Sequence, residues 1–186
     1  MRIPKSLGFV IIIAMTAPSS AQPVLTGTSA LACSAILCLS TSASYPACGP
    51  ALDHYFGIKH EYLTDTINAR FNFLNLCPSA SADGNMSSLV RAISRGGGQC
   101  DVRTLNANTR RTANDSEIIS DSLPSHCADY WNHSYTVIDN VAQYVGIPAR
   151  GGYWVEPQHY AEELAKYQAR IEYEDRVQEQ SNWGSN

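Results

Sequence analysis

The chain has 186 residues, and its 13 lysine and arginine residues are outnumbered by 17 aspartate and glutamate residues, which gives a formal net charge of −4. This acidic balance excludes nucleic acid as an expected partner, because a nucleic-acid-binding groove needs clustered basic residues. Hydrophobic residues make up 44% of the chain, and a chain of this length is sufficient for one domain with a buried core.

The first 21 residues have the pattern of a secretory signal peptide. Arg2 and Lys5 form a basic start, an apolar stretch follows from Leu7 to Ala17, and small residues precede a predicted cleavage site after Ala21. The apolar stretch is shorter than the roughly 20 residues that a membrane-spanning helix needs, which disfavours an uncleaved anchor. The sequence therefore predicts an exported chain with no stable membrane span after cleavage.

Four helices are predicted in the first half of the chain. Capping residues, apolar residues at helical spacing and terminal glycine or proline residues favour them. They are expected at residues 30–39 after a cap at Thr28 or Ser29, at 50–57, at 64–77 before Pro78, and at 87–94 before the glycines at 96–98.

The second half is predicted to contain a long polar loop and two further helices. Residues 101–124 lack sustained periodicity and are expected to form a surface loop with little regular structure. Residues 125–146 carry apolar residues at steps of three, four and seven, which predicts the longest amphipathic helix before Gly146 and Pro148. A turn-rich connector at 149–157 precedes a last helix at 158–178.

The predicted fold class is therefore mainly α, a small single helical domain stapled by disulfides. The domain is expected to span residues 22–178, after the signal peptide of residues 1–21. Residues 179–186 are polar and are predicted to be a disordered tail.

All six cysteines lie after the predicted signal peptide, and an even number in an exported chain predicts a disulfide framework. No Cys-x-x-Cys unit is present, so a redox pair or a zinc ribbon is disfavoured. Cys33 and Cys38 are five residues apart and would point about 140° apart on one helix, so we expect them not to pair with each other. They are expected to bond to Cys48 and Cys77, in an order that the sequence leaves open, and Cys100 to bond to Cys127.

Few residues are candidates for chemistry, and we expect no enzyme activity, cofactor or metal. His126, Asp129 and His133 could present metal ligands on one helix stripe, but a solvated helix face explains them better. Glu61 and Glu156 are considered as catalytic carboxylates, but neither has a second carboxylate in a pattern that marks a catalytic pair. Arg91 and Arg95 are interpreted as solvated surface residues. The remaining candidate is an aromatic interaction patch formed by Tyr153, Trp154 and Tyr160.

One stretch of the sequence is similar to a known family. The segment LACSAILCLSTSASYPACGPALDHYFGI, followed by ARFNFLNLCP, resembles the TrbM/KikA family over about residues 31–78. The family consists of exported proteins associated with plasmid conjugation and its mating-pair-formation type IV secretion system. The resemblance implies a periplasmic accessory protein that contacts components of that system in Gram-negative bacteria, and it supplies no catalytic residues. Two alternatives are a hydrolase that acts on the cell wall and a toxin-like host-range factor.

Overall fold

The computed structural model describes residues 25–41 and 45–183. The predicted signal peptide and its cleavage site after Ala21 lie outside the described residues. The prediction of a mainly α fold with disulfides is confirmed: the described residues form seven α-helices, four short strands and three disulfides. The helices are α1 Gly27–Leu39, α2 Gly49–Gly57, α3 Leu63–Leu74, α4 Gly84–Gly96, α5 Val102–Ala107, α6 Ser125–Trp131 and α7 Tyr160–Trp183, and the strands are β1 Thr109–Arg111, β2 Glu117–Ile119, β3 Gln143–Val145 and β4 Tyr153–Val155.

Helix α1 lies in the centre of the main core. Its buried side chains include the small residues Ala32 and Ala35, both fully buried, which allow α2 and α3 to approach it closely. Helix α4 contributes the buried side chains of Leu89, Val90 and Ile93 to the same core. Asp83 caps α4, because its carboxylate accepts a hydrogen bond of 2.7 Å from the backbone N–H of Met86.

A buried arginine joins α2, α3 and the end of α4. The Arg70 guanidinium lies 4.7 Å from the centre of the Tyr55 ring, and its Nη1 donates a hydrogen bond of 3.1 Å to the carbonyl of Gly97. The Tyr55 hydroxyl donates a hydrogen bond of 2.8 Å to the carbonyl of Ile93. The carbonyl groups at the C-terminus of a helix carry partial negative charge, which favours a cation there.

Three disulfides cross-link the helices, and they decide the pairing that the sequence left open. Cys33 bonds to Cys77 across 44 residues and ties α1 to the segment after α3. Cys38 bonds to Cys48 across 10 residues, at the start of α2. Cys100 bonds to Cys127 across 27 residues and ties the end of α4 to α6.

The strands form two antiparallel hairpins, β1–β2 and β3–β4. Helix α7 packs on the second hairpin, where Val145, Val155 and Tyr167 form a small second core. Asn106 of α5 joins this hairpin to the main core, because its side chain forms hydrogen bonds of 2.8 and 2.7 Å with the backbone C=O and N–H of Trp154. Among the described helices, none is long and apolar enough to cross a membrane.

The prediction of one helix over residues 125–146 is wrong. Helix α6 ends at Trp131, and the chain continues irregularly until β3 begins at Gln143. The hydroxyl of Thr136 lies 2.8 Å from the carbonyl oxygen of His133 and 3.2 Å from those of Tyr130 and Trp131. A threonine hydroxyl placed in this way competes with helical hydrogen bonds. Val137 then pairs with α1, since its N–H donates a hydrogen bond of 2.7 Å to the carbonyl of Ser40.

Two other segments contain more regular structure than predicted. Within residues 101–124, which were expected to form a loop with little regular structure, the structure places α5 and the β1–β2 hairpin. Helix α7 continues past the predicted boundary at residue 178 to Trp183, so residues 179–183 of the expected tail are helical, and residues 184–186 lie outside the described residues. Ion pairs one turn apart, Lys166–Glu162 and Arg170–Glu174, line the exposed face of this helix.

Candidate functional site

A surface cleft of about 570 Å³ lies between α4 and α6. Helix α4 contributes Ser88, Arg91 and Arg95, which lie on one face because they are three, four or seven residues apart. Helix α6 and the segment after it contribute the opposite wall. The side chains that the site depends on are Ser88, Arg91, Arg95, His126, Asp129 and His133.

Close packing and a covalent bond hold the two walls together. A Cβ atom on Gly96 would lie 2.5 Å from the Tyr130 ring, so only glycine allows α4 and α6 to approach this closely. The Cys100–Cys127 disulfide bonds the end of α4 to α6. The cleft is therefore a preformed surface on a cross-linked scaffold.

Ser88 and His133 form a hydrogen bond of 2.8 Å across one end of the cleft. The Ser88 hydroxyl also lies 2.9 Å from the carbonyl of Asn85, to which it donates, so it accepts from His133 Nε2–H. Nδ1 of His133 accepts a hydrogen bond of 3.1 Å from the backbone N–H of Tyr135, which places the imidazole proton on Nε2. This tautomer cannot remove a proton from the serine, so the pair fastens the segment after α6 to α4 and is not arranged as a nucleophile and base.

Arg91 and Arg95 are the cationic groups of the cleft. The Arg91 guanidinium lies 5.4 Å from the centre of the Phe71 ring on α3, a cation–π contact that orients it. Within the described part of the chain, neither arginine forms an ion pair. Asp129 is the acidic side chain of the lining, so the two guanidinium groups leave an excess of positive charge.

The structure brings together the three residues considered as metal ligands on one helix stripe. His126, Asp129 and His133 do line one cleft, although His133 lies beyond the end of α6 and is no longer on the same helix. Both ring nitrogens of His133 are hydrogen-bonded. His126 lies within 4.8 Å of the sulfur atoms of Cys100 and Cys127, but those sulfurs are bonded to each other and are not thiolates.

The aromatic residues proposed as an interaction patch do not form one exposed surface. Trp154 is buried, and its Nε1 donates a hydrogen bond of 2.9 Å to the carbonyl of Ser120. Tyr153 of β4 and Tyr160, the first residue of α7, are half-buried against the second core, and the Tyr153 hydroxyl donates a hydrogen bond of 2.8 Å to Glu163. Trp154 therefore acts in the core, and Tyr153 and Tyr160 belong to the second core cluster.

The two glutamates considered as catalytic carboxylates lie in different surroundings. Glu156 lines a second cleft, of about 310 Å³, beside Asp101 and Trp131. Glu61 is exposed in the connection between α2 and α3 and is not part of that lining. The arrangement thus brings no pair of these carboxylates together across this cleft.

Arg91 and Arg95, which were interpreted as solvated surface, line a shared cleft. Their spacing of four residues was the available signal, although Arg95 lies one residue beyond the predicted helix at 87–94, because that spacing places both on one face when the helix continues to Gly96. The sequence placed His126 and Asp129 on one helix stripe, but it did not indicate that this stripe faces α4, because that depends on how two distant helices pack.

Comparison with protein families identifies one match. The family model TrbM matches residues 24–168, which include the main core, all three disulfides and both walls of the cleft. Neither the curated proteins nor the solved structures that were compared with the chain include a match. The chain belongs to the TrbM family of conjugal transfer proteins, and its function is related to conjugal transfer.

Proposed function

We propose that the protein is a periplasmic accessory of plasmid conjugation that assists the mating-pair-formation type IV secretion system through protein–protein contacts. The observation that carries this proposal is the family match over residues 24–168. The family match does not favour the two alternatives, a hydrolase that acts on the cell wall and a toxin-like host-range factor.

The cysteines support the periplasmic part of the proposal. All six are paired in disulfides, and each lies in the described part of the chain. Structural disulfides form and persist in oxidising compartments such as the bacterial periplasm. The signal-peptide pattern of residues 1–21 provides the route to that compartment.

The α4–α6 cleft supports action by contact. Arg91 and Arg95 are exposed and form no ion pair with any residue that the structure describes, and the Cys100–Cys127 disulfide holds the scaffold around them. Such a surface suits the binding of a charged partner. The Ser88–His133 pair has the wrong tautomer for nucleophilic catalysis, as described above. We therefore propose this cleft as the surface that contacts the secretion system.

The proposal is tested by the conjugation frequency of a donor that lacks the gene. A plasmid copy of the full chain should restore transfer, whereas a copy without residues 2–21 should accumulate in the cytoplasm and fail to restore it. Immunoblots of periplasmic and cytoplasmic fractions provide the matched control for protein level. Transfer that is unchanged by the deletion, or restored equally by the chain without residues 2–21, would contradict the proposal.

A further inference from the structure

We infer that the α4–α6 cleft binds an acidic peptide segment of a protein partner, with Arg91 and Arg95 as the groups that pair with its carboxylates. The inference rests on the proposed function and deepens it by naming the chemistry of the contact.

The charge of the cleft is available for a ligand. Arg91 and Arg95 are one helical turn apart, so their Cβ atoms are about 6 Å apart. Both side chains are exposed, and neither forms an ion pair among residues 25–41 and 45–183. By contrast, Arg150 and Arg170 on the α7 side are already paired with acidic residues of α7.

The shape of the cleft favours a short segment of peptide. Its volume of about 570 Å³ accommodates a few residues, and Ala92 and Ala128 keep the space between the walls open. A guanidinium group matches the planar geometry of a carboxylate with two parallel hydrogen bonds. Asn132 lines the same cleft and has both donor and acceptor atoms for a peptide backbone.

The position of the acidic group in the cleft sets the orientation of the ligand. Asp129 belongs to α6 and lines the wall opposite the two arginines. Its carboxylate repels the carboxylates of an acidic segment, which therefore lie on the α4 side, beside Arg91 and Arg95.

The charge of the whole protein distinguishes a peptide from a membrane surface or a nucleic acid. The chain has a formal net charge of −4, and the acidic residues that contribute to it include the exposed Glu172 and Glu179 of α7. An extended anionic surface would be repelled by these groups, whereas a short acidic segment meets only the cleft.

The test measures binding of a fluorescein-labelled octa-glutamate peptide to the oxidised chain without residues 1–21, by fluorescence anisotropy. The Arg91→Gln/Arg95→Gln variant should bind at least about tenfold more weakly, because both charge-assisted contacts are lost. The control is Arg103→Gln/Arg110→Gln, which changes two exposed arginines outside the cleft by the same net charge. That control should change affinity by about twofold or less.

A third variant and two further ligands complete the design. Asp129→Asn should strengthen binding of the octa-glutamate peptide by about two- to threefold, because a repulsive charge is removed. Octa-glutamine should not bind, and vesicles of phosphatidylglycerol should not bind either. Circular dichroism and thermal unfolding verify that each variant is folded.

Two results would overturn the inference. Equal losses of affinity in the two double-arginine variants would show that net charge, and not the cleft, attracts the peptide. Binding of phosphatidylglycerol vesicles without binding of the peptide would show that the cleft faces a membrane. Neither result changes the conjugation frequency of the deletion strain, so failure here is distinguishable from failure of the proposed function.

Discussion

Removing the disulfides one at a time should destabilise the protein in an order set by the length of chain that each one closes. A disulfide stabilises the folded state chiefly by restricting the unfolded chain, and the restriction increases with loop length. The three bridges span 44, 27 and 10 residues. Each is removed as a pair of Cys→Ala substitutions, which leaves no free thiol and no unpaired buried hydroxyl.

The loop lengths convert into expected losses of unfolding free energy. With the chain-entropy relation, the loss is about 4 kcal/mol for Cys33–Cys77, about 3.5 kcal/mol for Cys100–Cys127 and about 2.7 kcal/mol for Cys38–Cys48. Domains of this size are stable by about 5–15 kcal/mol, so the longest bridge is a large share of the total.

The measurement is urea unfolding of the oxidised chain without residues 1–21, followed by far-ultraviolet circular dichroism. A thiol assay verifies that the two remaining disulfides are intact in each variant. The m-value, which is the slope of the unfolding free energy against urea concentration, should increase most in the variant without Cys33–Cys77 and least in the variant without Cys38–Cys48. The reason is that a less restricted unfolded chain exposes more surface. The reasoning would be refuted if the variant without Cys38–Cys48 were the least stable of the three.

The remaining predictions concern single residues, each measured by urea unfolding. Burial raises the pKa of Tyr55 to about 12, above the value near 10 that it has in the unfolded chain. The contribution of neutral Tyr55 to the free energy of unfolding is therefore complete below pH 10 and is lost as the pH rises through 12. The wild type should lose about 2 kcal/mol more than Tyr55→Phe between those pH values, and equal losses would contradict this. Asn106→Ala removes both hydrogen bonds to the Trp154 backbone and should cost about 2 kcal/mol or more, and a loss below about 0.5 kcal/mol would count against the linking role of Asn106. Gly146→Ala should cost about 1–3 kcal/mol, because Gly146 has a φ of +83° and an added Cβ would overlap the Tyr167 ring, and an unchanged stability would show that α7 shifts freely.

Non-reducing tryptic mass mapping checks two of the connections, that Cys77 bonds to the peptide that ends at Lys59 and that Cys100 bonds to Cys127. Cleavage at Lys59, Arg70 and Arg91 should leave residues 71–91 attached to the peptide that contains Cys33, Cys38 and Cys48. Residues 96–103 should be attached to residues 112–150 through the Cys100–Cys127 bridge. A peptide of residues 71–91 joined to residues 112–150 would contradict the structure.

The helices of the first half were predictable because their signals are local. The predicted ends at Leu39 and Gly57 agree with α1 and α2, and α3 and α4 differ from their predictions by a few residues at the ends. Glycine, proline and apolar spacing act over a few residues, so they can be recognised without the rest of the fold. The predicted cap at Thr28 or Ser29 is wrong, because α1 already begins at Gly27 and no side chain caps it.

The failure over residues 125–146 has a tertiary cause. Apolar residues at helical spacing continue through Val145, but Val137 forms a backbone hydrogen bond to Ser40 and Val145 enters a hairpin with β4. A backbone partner about 100 residues earlier in the chain, or in a later strand, cannot be predicted from the spacing of apolar residues within one segment. Non-local packing likewise hides the α4–α6 cleft. The β1–β2 hairpin is local, since Thr109 pairs with Ile119, but its strands are only three residues long and show no alternation of buried and exposed residues.

The sequence by itself determined the mainly helical class, the presence of a disulfide framework and the likeness to the TrbM family, because composition, local helix signals and cysteine spacing carry that information. Only the tertiary structure decided that Cys33 bonds to Cys77 and Cys38 to Cys48, that Trp154 is buried, and that Arg91 and Arg95 face the wall formed by α6. The physical reason is that disulfide pairing, burial and cleft shape depend on which distant segments meet in space, and a residue pattern specifies only which side of its own helix a group lies on.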